Sequence, residues 1–402
     1  MNVPPARSIA SLLAGLLIAG CAAPPKQVPI FNTVPSGRII GWTGEAPVIR
    51  LYGTPYEIGY QHGSLMRREV RASVNNILSY ADRQLKVPGL GRLIARRKLD
   101  QAWRLMKPHV PDRYLEELKG LSDGAGIPLR SLYQVHALPD LTSVVCANSA
   151  VAGAATTDGS LIHIRNLDWA IKSGVQGYSA IFVVESKGQR PFVNLGFLGF
   201  IGVLSGINRN GLSVGQIGAE TVDTNLRGVP MPFLQRRVLE ECEDLPAAAR
   251  LIEKGPRTVG YNYLIADAKA RSAVALETTR QNFAAYWMKG ESLVRSDYAL
   301  DPVVRALQLA CKGDPSRPGL ESPTGSSAYE VRYRGHEALL DRFKGKIDPE
   351  VAAAIAAAIA PSSNIQSVVY AYPQVWVAVA RGKTPAARRT YRQLDLEELF
   401  SR

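Results

Sequence analysis

Two short apolar runs, residues 146–153 and 161–166, flank the stretch Thr156-Thr157-Asp158-Gly159, and this arrangement constrains the fold more than any other part of the chain. An Asp-Gly turn between apolar segments predicts a hairpin, because glycine reaches the positive φ that tight turns need and the flanking residues suit strands. Folding the second run back beside the first carries Arg165-Asn166-Leu167-Asp168 to Cys146. Cysteine attacks as the thiolate, a guanidinium favours that form, and a carboxylate orients or accepts a proton from an amine. Cys146 with Arg165 and Asp168 therefore reads as a nucleophile with electrostatic partners. A packed structural cysteine beside an ordinary ion pair is the plainer alternative.

Composition bounds the remaining choices. With 402 residues, 46% of them hydrophobic and 21% charged, the chain is long enough for one large core or two smaller ones. The net charge of +13 includes clusters at Arg67-Arg68, Arg96-Arg97-Lys98 and Arg388-Arg389. Such clusters attract anionic lipid or acidic substrates, or simply form solvated helix faces. No zinc-finger or RNA-binding motif is present, so no nucleic-acid partner is expected. The Gly-x-Ser-x-Gly elbow, the phosphate loop and the dinucleotide fingerprint are all missing, and His336-Glu337 lacks the second histidine of a zinc protease. Neither a metal nor another cofactor is expected.

Arg7 precedes an apolar stretch, residues 9–19, that is too short to span a bilayer and ends in Ile18-Ala19-Gly20-Cys21. Residues 1–20 resemble a bacterial lipoprotein signal peptide, which implies lipidation of Cys21 and a membrane anchor there. Ala22 in the next position implies the outer membrane, with the protein facing the periplasm or exterior. A plain secretory signal is the alternative. Residues 21–44, with Pro24-Pro25, Pro29 and Pro35, read as a tether.

Helical spacing of apolar residues marks 55–83, 112–121 and 128–138, so residues 45–145 form a helix-rich segment. From Cys146 onward, residues 146–402 begin with strands at 178–185, 192–194, 200–204 and 211–217. Helices follow at 231–242 and 245–253, then a hairpin at 262–267 and 272–278 and a strand at 283–287. Helices at 329–343 and 349–360 precede a closing hairpin at 366–370 and 375–380. The pattern fits an α+β protein of two packed sheets flanked by helices.

The run from Cys146-Ala147-Asn148-Ser149 through Asp158-Gly159 to Arg165-Asn166-Leu167-Asp168-Trp169 resembles the mature start of the penicillin acyltransferase-like (acyl-CoA:6-aminopenicillanic acid acyltransferase) family. The upstream segment Gly53-Thr54-Pro55-Tyr56-Glu57-Ile58-Gly59-Tyr60-Gln61-His62-Gly63 is similar to the opening of the same group. These are cysteine N-terminal-nucleophile hydrolases, related to choloylglycine hydrolases and acid-ceramidase-type amidases. The resemblance implies a four-layer αββα sandwich of two antiparallel sheets and self-cleavage between Val145 and Cys146. The freed α-amino group of Cys146 would serve as base, its pKa near neutrality suiting that task.

By the same resemblance, the side-chain amide of Asn262 and the backbone N–H of Gly218 would hold the oxyanion, and Arg332 would support Asp168 and the nucleophile. The implied activity is that of an amidohydrolase or acyltransferase cleaving small N-acyl compounds through a Cys146 thioester, without a cofactor. The chain departs from the family at Val144-Val145, where many relatives carry glycine and where β-branched residues crowd the scissile bond. His62 and His163 read as structural, since the mechanism needs no histidine. Cys242 and Cys311 are left over, in a compartment where they could pair. A catalytically silent binding lipoprotein and a phospholipase-B-like esterase are the competing readings.

Overall fold

Two strands precede the first helix: β1 (Arg38–Thr43) and β2 (Ala46–Gly53) turn at Gly44, whose φ of 63° the hairpin requires. In the computed structural model, which describes residues 37–84, 90–142, 145–312 and 328–401, residues 38–43, expected as part of a tether running to Gly44, form β1 instead. The signal segment 1–20 and Cys21 lie outside the described residues.

A reciprocal capping box between Thr54 and Glu57, with a proline in the first turn, starts α1 (Pro55–Leu65). The helical layer continues through α2 (Arg67–Gln84), α3 (Gly91–Met106), α4 (Asp112–Ala125) and α5 (Leu129–Ala137). A 3-10 turn at Pro139–Leu141 leads to the expected hairpin, β3 (Val145–Gly153) and β4 (Gly159–Asp168). Next come β5 (Ser179–Ser186), β6 (Phe192–Phe197), β7 (Ser205–Asn208) and β8 (Leu212–Gly218), then α6 (Met231–Glu241) and α7 (Leu245–Lys254). Four strands follow, β9 (Tyr261–Asp267), β10 (Ser272–Thr278), β11 (Phe283–Trp287) and β12 (Ser292–Ser296). The chain closes with α8 (Pro302–Lys312), α9 (Ala328–Arg342), α10 (Pro349–Ile359), β13 (Asn364–Ala371), β14 (Gln374–Val379), β15 (Arg392–Asp395) and α11 (Leu396–Ser401).

Nine strands form one sheet in the order β1-β2-β5-β6-β7-β8-β9-β10-β11, and six form the other, β12-β3-β4-β13-β14-β15. All pairs are antiparallel except β2 with β5, so residues ahead of Cys146 supply the edge of the larger sheet. Helices α1, α6 and α7 pack on the larger sheet and α9 and α10 on the smaller, while β3 meets β8 and β9 between the sheets. The result is the αββα stack. Core residues Val70, Leu118, Phe233 and Ile265 join the helices to the large sheet, and Ile164, Tyr333, Ile355 and Val369 join the small sheet to its helices.

Residues 200–204, expected as a strand, are a buried loop instead. Its backbone groups find other partners: Ile201 N–H donates to His136 Nε2, Val203 N–H to the Pro232 carbonyl, and Arg236 donates to the Ile201 carbonyl. That satisfies the polar backbone without a neighbouring strand. Arg236 also pairs with Glu117 at 2.6 Å and Glu240 at 2.8 Å, so a buried ion cluster ties α4 to α6.

The upstream glycines have a physical reason. Helices α1 and α4 cross backbone to backbone: an added Cβ at Gly59 would lie 1.9 Å from the Glu117 carbonyl oxygen, and one at Gly120 would lie 2.0 Å from that of Tyr56. Neither backbone can yield without separating the helices. Gly120→Ala is expected to destabilise the protein by about 1–3 kcal/mol or more, read as a lower Tm. Gly335→Ala, on an exposed face of α9 where an added Cβ meets nothing within 4 Å, is expected to leave Tm unchanged or raise it.

Candidate active site

The β3–β4 ladder sets Val145 opposite Asp168, Cys146 opposite Leu167 and Asn148 opposite Arg165. Side chains alternate along a strand. On β3, Asn148 reaches the Gln216 carbonyl in the large sheet, while Ser149 bonds His336 on α9 at 2.9 Å. On β4, Arg165 faces the large sheet and donates to Gln216 Oε1 at 2.7 Å, whereas Asn166 donates to the Ala356 carbonyl of α10. Arg165 and Asp168 therefore approach Cys146 from opposite faces rather than as one cluster. Gly215 on β8 makes room for this, because a Cβ there would sit 2.2 Å from Asn148 Oδ1 and 2.8 Å from Arg165 Cδ.

Cys146 is fully buried, and burial pushes its thiol up to about 11. The Asp168 and Asp297 carboxylates push the same way, against the Arg165 guanidinium and a backbone hydrogen bond from Asp168. In the intact chain the sulfur is a thiol. Arg165 is equally buried and forms no ion pair among the described residues. Its donors go to Gln216 and to the carbonyls of Asn166 and Leu204. A buried cation without a counter-ion favours whatever negative charge develops beside it.

Asp297, unmarked in the sequence, completes the other side. The Cys146 N–H donates to its two carboxylate oxygens at 3.1 and 3.4 Å. Arg332 on α9 bridges the carboxylates, 2.7 Å from Asp168 and 3.8 Å from Asp297. Asn364, also unmarked, donates to Asp168 Oδ1 at 2.8 Å. Burial lifts Asp297 to about 8, helped by Asp168 and opposed by Arg332. No local motif signals Asp297. It arrives because β12 pairs with β3 in the register Ser296 to Ala147.

Asn262 lies on β9 opposite Ile217, one step from the Gly218–Tyr261 pair, so the two expected oxyanion donors sit on neighbouring strands. The Asn262 amide donates to the Ser296 carbonyl at 3.2 Å, beside the strand that carries Cys146. Two cavities flank the turn before Cys146. One is lined by apolar residues including Leu138, Leu167, Trp169, Phe197 and Phe200. The other is lined by Asp140, Thr142, Gly218, Glu220 and Tyr261.

His62 and His163 are buried and pushed down to about 3 by desolvation. His62 accepts the Gly199 N–H, and His163 bonds Ser213 and Asn148. Cys242 is a buried free thiol, and the side chain of Cys311 lies outside the described residues. Among the described residues, no three His, Cys, Asp or Glu side chains form a group that could hold a metal ion, and no helix is long and apolar enough to cross a membrane.

The raised value of Asp297 has a signed consequence. Its carboxyl keeps a proton in the folded state where the unfolded chain, at the ordinary 3.8, has lost it. This contribution erodes stability as pH rises from about 4 to about 8. Asp297→Asn removes it, so the Tm of the variant relative to the parent is expected to rise from about pH 5 to about pH 8, measured by paired thermal melts.

Residues 155–288 match the family model described as acyl-coenzyme A:6-aminopenicillanic acid acyl-transferase. The protein dcd1B of Dictyostelium discoideum is 27% identical over 62% of this chain and 56% of its own length. The N-acylethanolamine-hydrolyzing acid amidase of Cavia porcellus is 23% identical over 66% of this chain and 68% of its own length. A Caenorhabditis elegans ortholog of that amidase superposes with a TM-score of 0.43 at 16% identity, covering 62% of this chain and all of the other. The chain spans about half the length of the Dictyostelium relatives it matches. The resemblance read from the motifs is borne out: over residues 155–288 this chain is similar to the acyl-coenzyme A:6-aminopenicillanic acid acyl-transferase family.

Proposed function

We propose that the chain cuts itself between Val145 and Cys146, and that the freed Cys146 then hydrolyses the amide bond of small N-acyl compounds. The observation that carries this reading is the placement of Cys146: its N–H rests on the Asp297 carboxyl and its thiol lies beside Arg165, which has no ion pair among the described residues. In the first step the sulfur attacks the Val145 carbonyl carbon, the C–N bond breaks, and the departing nitrogen takes the proton that the thiol gives up. Asp297, near 8, is matched to relay that proton. Water then cleaves the thioester, leaving a carboxyl on Val145 and a free amine on Cys146.

The second cycle repeats the chemistry on substrate. The α-amine of Cys146 accepts the thiol proton, and Arg165 favours the thiolate. Sulfur attacks the acyl carbon while Asn262 and the Gly218 N–H donate to the oxyanion. The amine leaves with the proton, and water resolves the acyl-enzyme. Arg332 keeps Asp168 and Asp297 oriented. Burial supports this order: Cys146 is fully buried in the uncut chain, so its sulfur must be uncovered before a substrate reaches it.

The apolar cavity beside Leu167 suits an acyl chain, and the similarity to N-acylethanolamine-hydrolyzing acid amidases agrees with amide hydrolysis. The signal-like residues 1–20 and Cys21 extend the proposal to an exported lipoprotein anchored by Cys21, facing the periplasm or exterior. Water is present there and acyl-CoA is not, so hydrolysis is favoured over transfer.

Mass spectrometry tests the reading. The parent protein is expected to yield a chain beginning at Cys146 and to gain the mass of an acyl group from a slow amide substrate. Cys146→Ala is expected to stay whole and to gain none. An uncut parent chain that never acylates, or ester turnover without turnover of the matched amide, overturns the proposal.

A further inference from the structure

We infer that the polar cavity beside Gly218 and Tyr261 receives the amine half of the substrate and selects a leaving amine that carries a second, positively charged amino group. This rests on the amidase reading above and assigns the side of the substrate that the reading leaves open.

The turn before the nucleophile sorts the two cavities by chemistry. Leu138 and Pro139 line the apolar one, whereas Asp140, Leu141 and Thr142 line the polar one. The polar cavity also reaches Gly218 at the end of β8 and Tyr261 at the start of β9, next to Asn262. An amide held with its oxygen toward those strands has its acyl chain on one side of the turn and its nitrogen substituent on the other. Tyr261 closes the connection, donating its hydroxyl to the Pro139 carbonyl at 2.9 Å.

The polar cavity is acidic in a basic protein. Asp140 and Glu220 line it with the hydroxyl-bearing Thr142, Thr221 and Thr224, and none of the lining residues, all of them described, is basic. Asp140 is only 6% exposed. Its Oδ1 accepts from the Thr258 hydroxyl at 2.6 Å and from the Met231 N–H at 3.3 Å, and its buried Oδ2 has no hydrogen-bond partner among the described residues. A buried carboxylate oxygen without a donor is costly, and an ammonium satisfies it with both charge and N–H groups. Burial lifts Asp140 to about 7, the mark of an acid that lacks a counter-charge, and a bound cation would return it to the ionised form. A carboxylate at the same place would meet Asp140 and Glu220 as like charges, so N-acyl amino acids fit this cavity poorly. The distal ammonium takes no part in bond breaking: the acyl carbon passes to sulfur and the proton to the proximal nitrogen.

The test uses the processed protein and three decanoyl amides of equal length, whose four-carbon amines end in ammonium, hydroxyl or carboxylate. Expected is kcat/KM falling in that order, by about tenfold or more between the ends. Asp140→Asn keeps the acceptor for Thr258 and Met231, and Glu220→Gln changes a half-buried position. Each is expected to flatten the order mainly through KM. Equal rates, preference for carboxylate, or an order unchanged in both variants overturns the inference while leaving the amidase intact. If none of the amides is turned over, the amidase reading fails. The cavity is then judged by calorimetry with free diaminobutane, expected to bind the parent and not Asp140→Asn. Binding to both, or to neither, overturns it.

Discussion

The pairing of β3 between β4 and β12 is the constraint on which the rest depends. β3 carries the thiol, and its two neighbours deliver the charges: β4 brings Arg165 and Asp168, and β12 brings Asp297 past its end. A slip of β3 by one residue would turn Cys146 toward α9 and α10, and a slip of β4 would turn Arg165 the same way. Buried residues on both faces of β3 and β4 oppose that slip, because each would exchange a matched surface for a mismatched one. The register is thus held by packing, and the site inherits its geometry from the register.

Charge placement follows the same logic. Three carboxylates and the Arg165 guanidinium are buried near Cys146 or the cavities beside it, with Arg332 nearly so, yet they are not all paired. Arg332 is shared by Asp168 and Asp297, while Arg165 and the second oxygen of Asp140 have no opposite charge among the described residues. Buried ions normally lose more in desolvation than they regain unless matched. In the reaction proposed above, Arg165 would be matched by developing negative charge and Asp140 by the incoming cation, so that a cost borne by the resting protein would be recovered when substrate binds. The ion cluster of Arg236 with Glu117 and Glu240 is satisfied throughout, as befits a group that only fastens α4 to α6.

Legibility tracked how local the cause was. The Asp-Gly turn, the capped start of α1 and the short apolar runs of β9 and β10 around Ala268-Lys269-Ala270 follow from neighbours in sequence, and these elements form where the pattern puts them. Elements set by distant partners were illegible. β2 is buried on both faces and pairs parallel with β5, so it lacks the alternation that marks a half-exposed strand. The loop 200–204 has the apolar content of a strand, but side chains of α5 and α6 take its backbone bonds. Helix α3 carries a weak signal because its charged surface dilutes the apolar stripe of Ala95, Leu99, Ala102 and Met106.

The sequence by itself determined the hairpin that carries Cys146 and brings Arg165 and Asp168 beside it, because a turn brings its own flanks together whatever the rest of the chain does. It also determined the two-sheet α+β class through the run of strand and helix patterns. Only the tertiary structure decided that Asp297 receives the Cys146 N–H and that an acidic cavity faces an apolar one across the turn before Cys146. Those facts arise from strand register and sheet stacking between residues more than a hundred positions apart, where no spacing along the chain encodes distance in space.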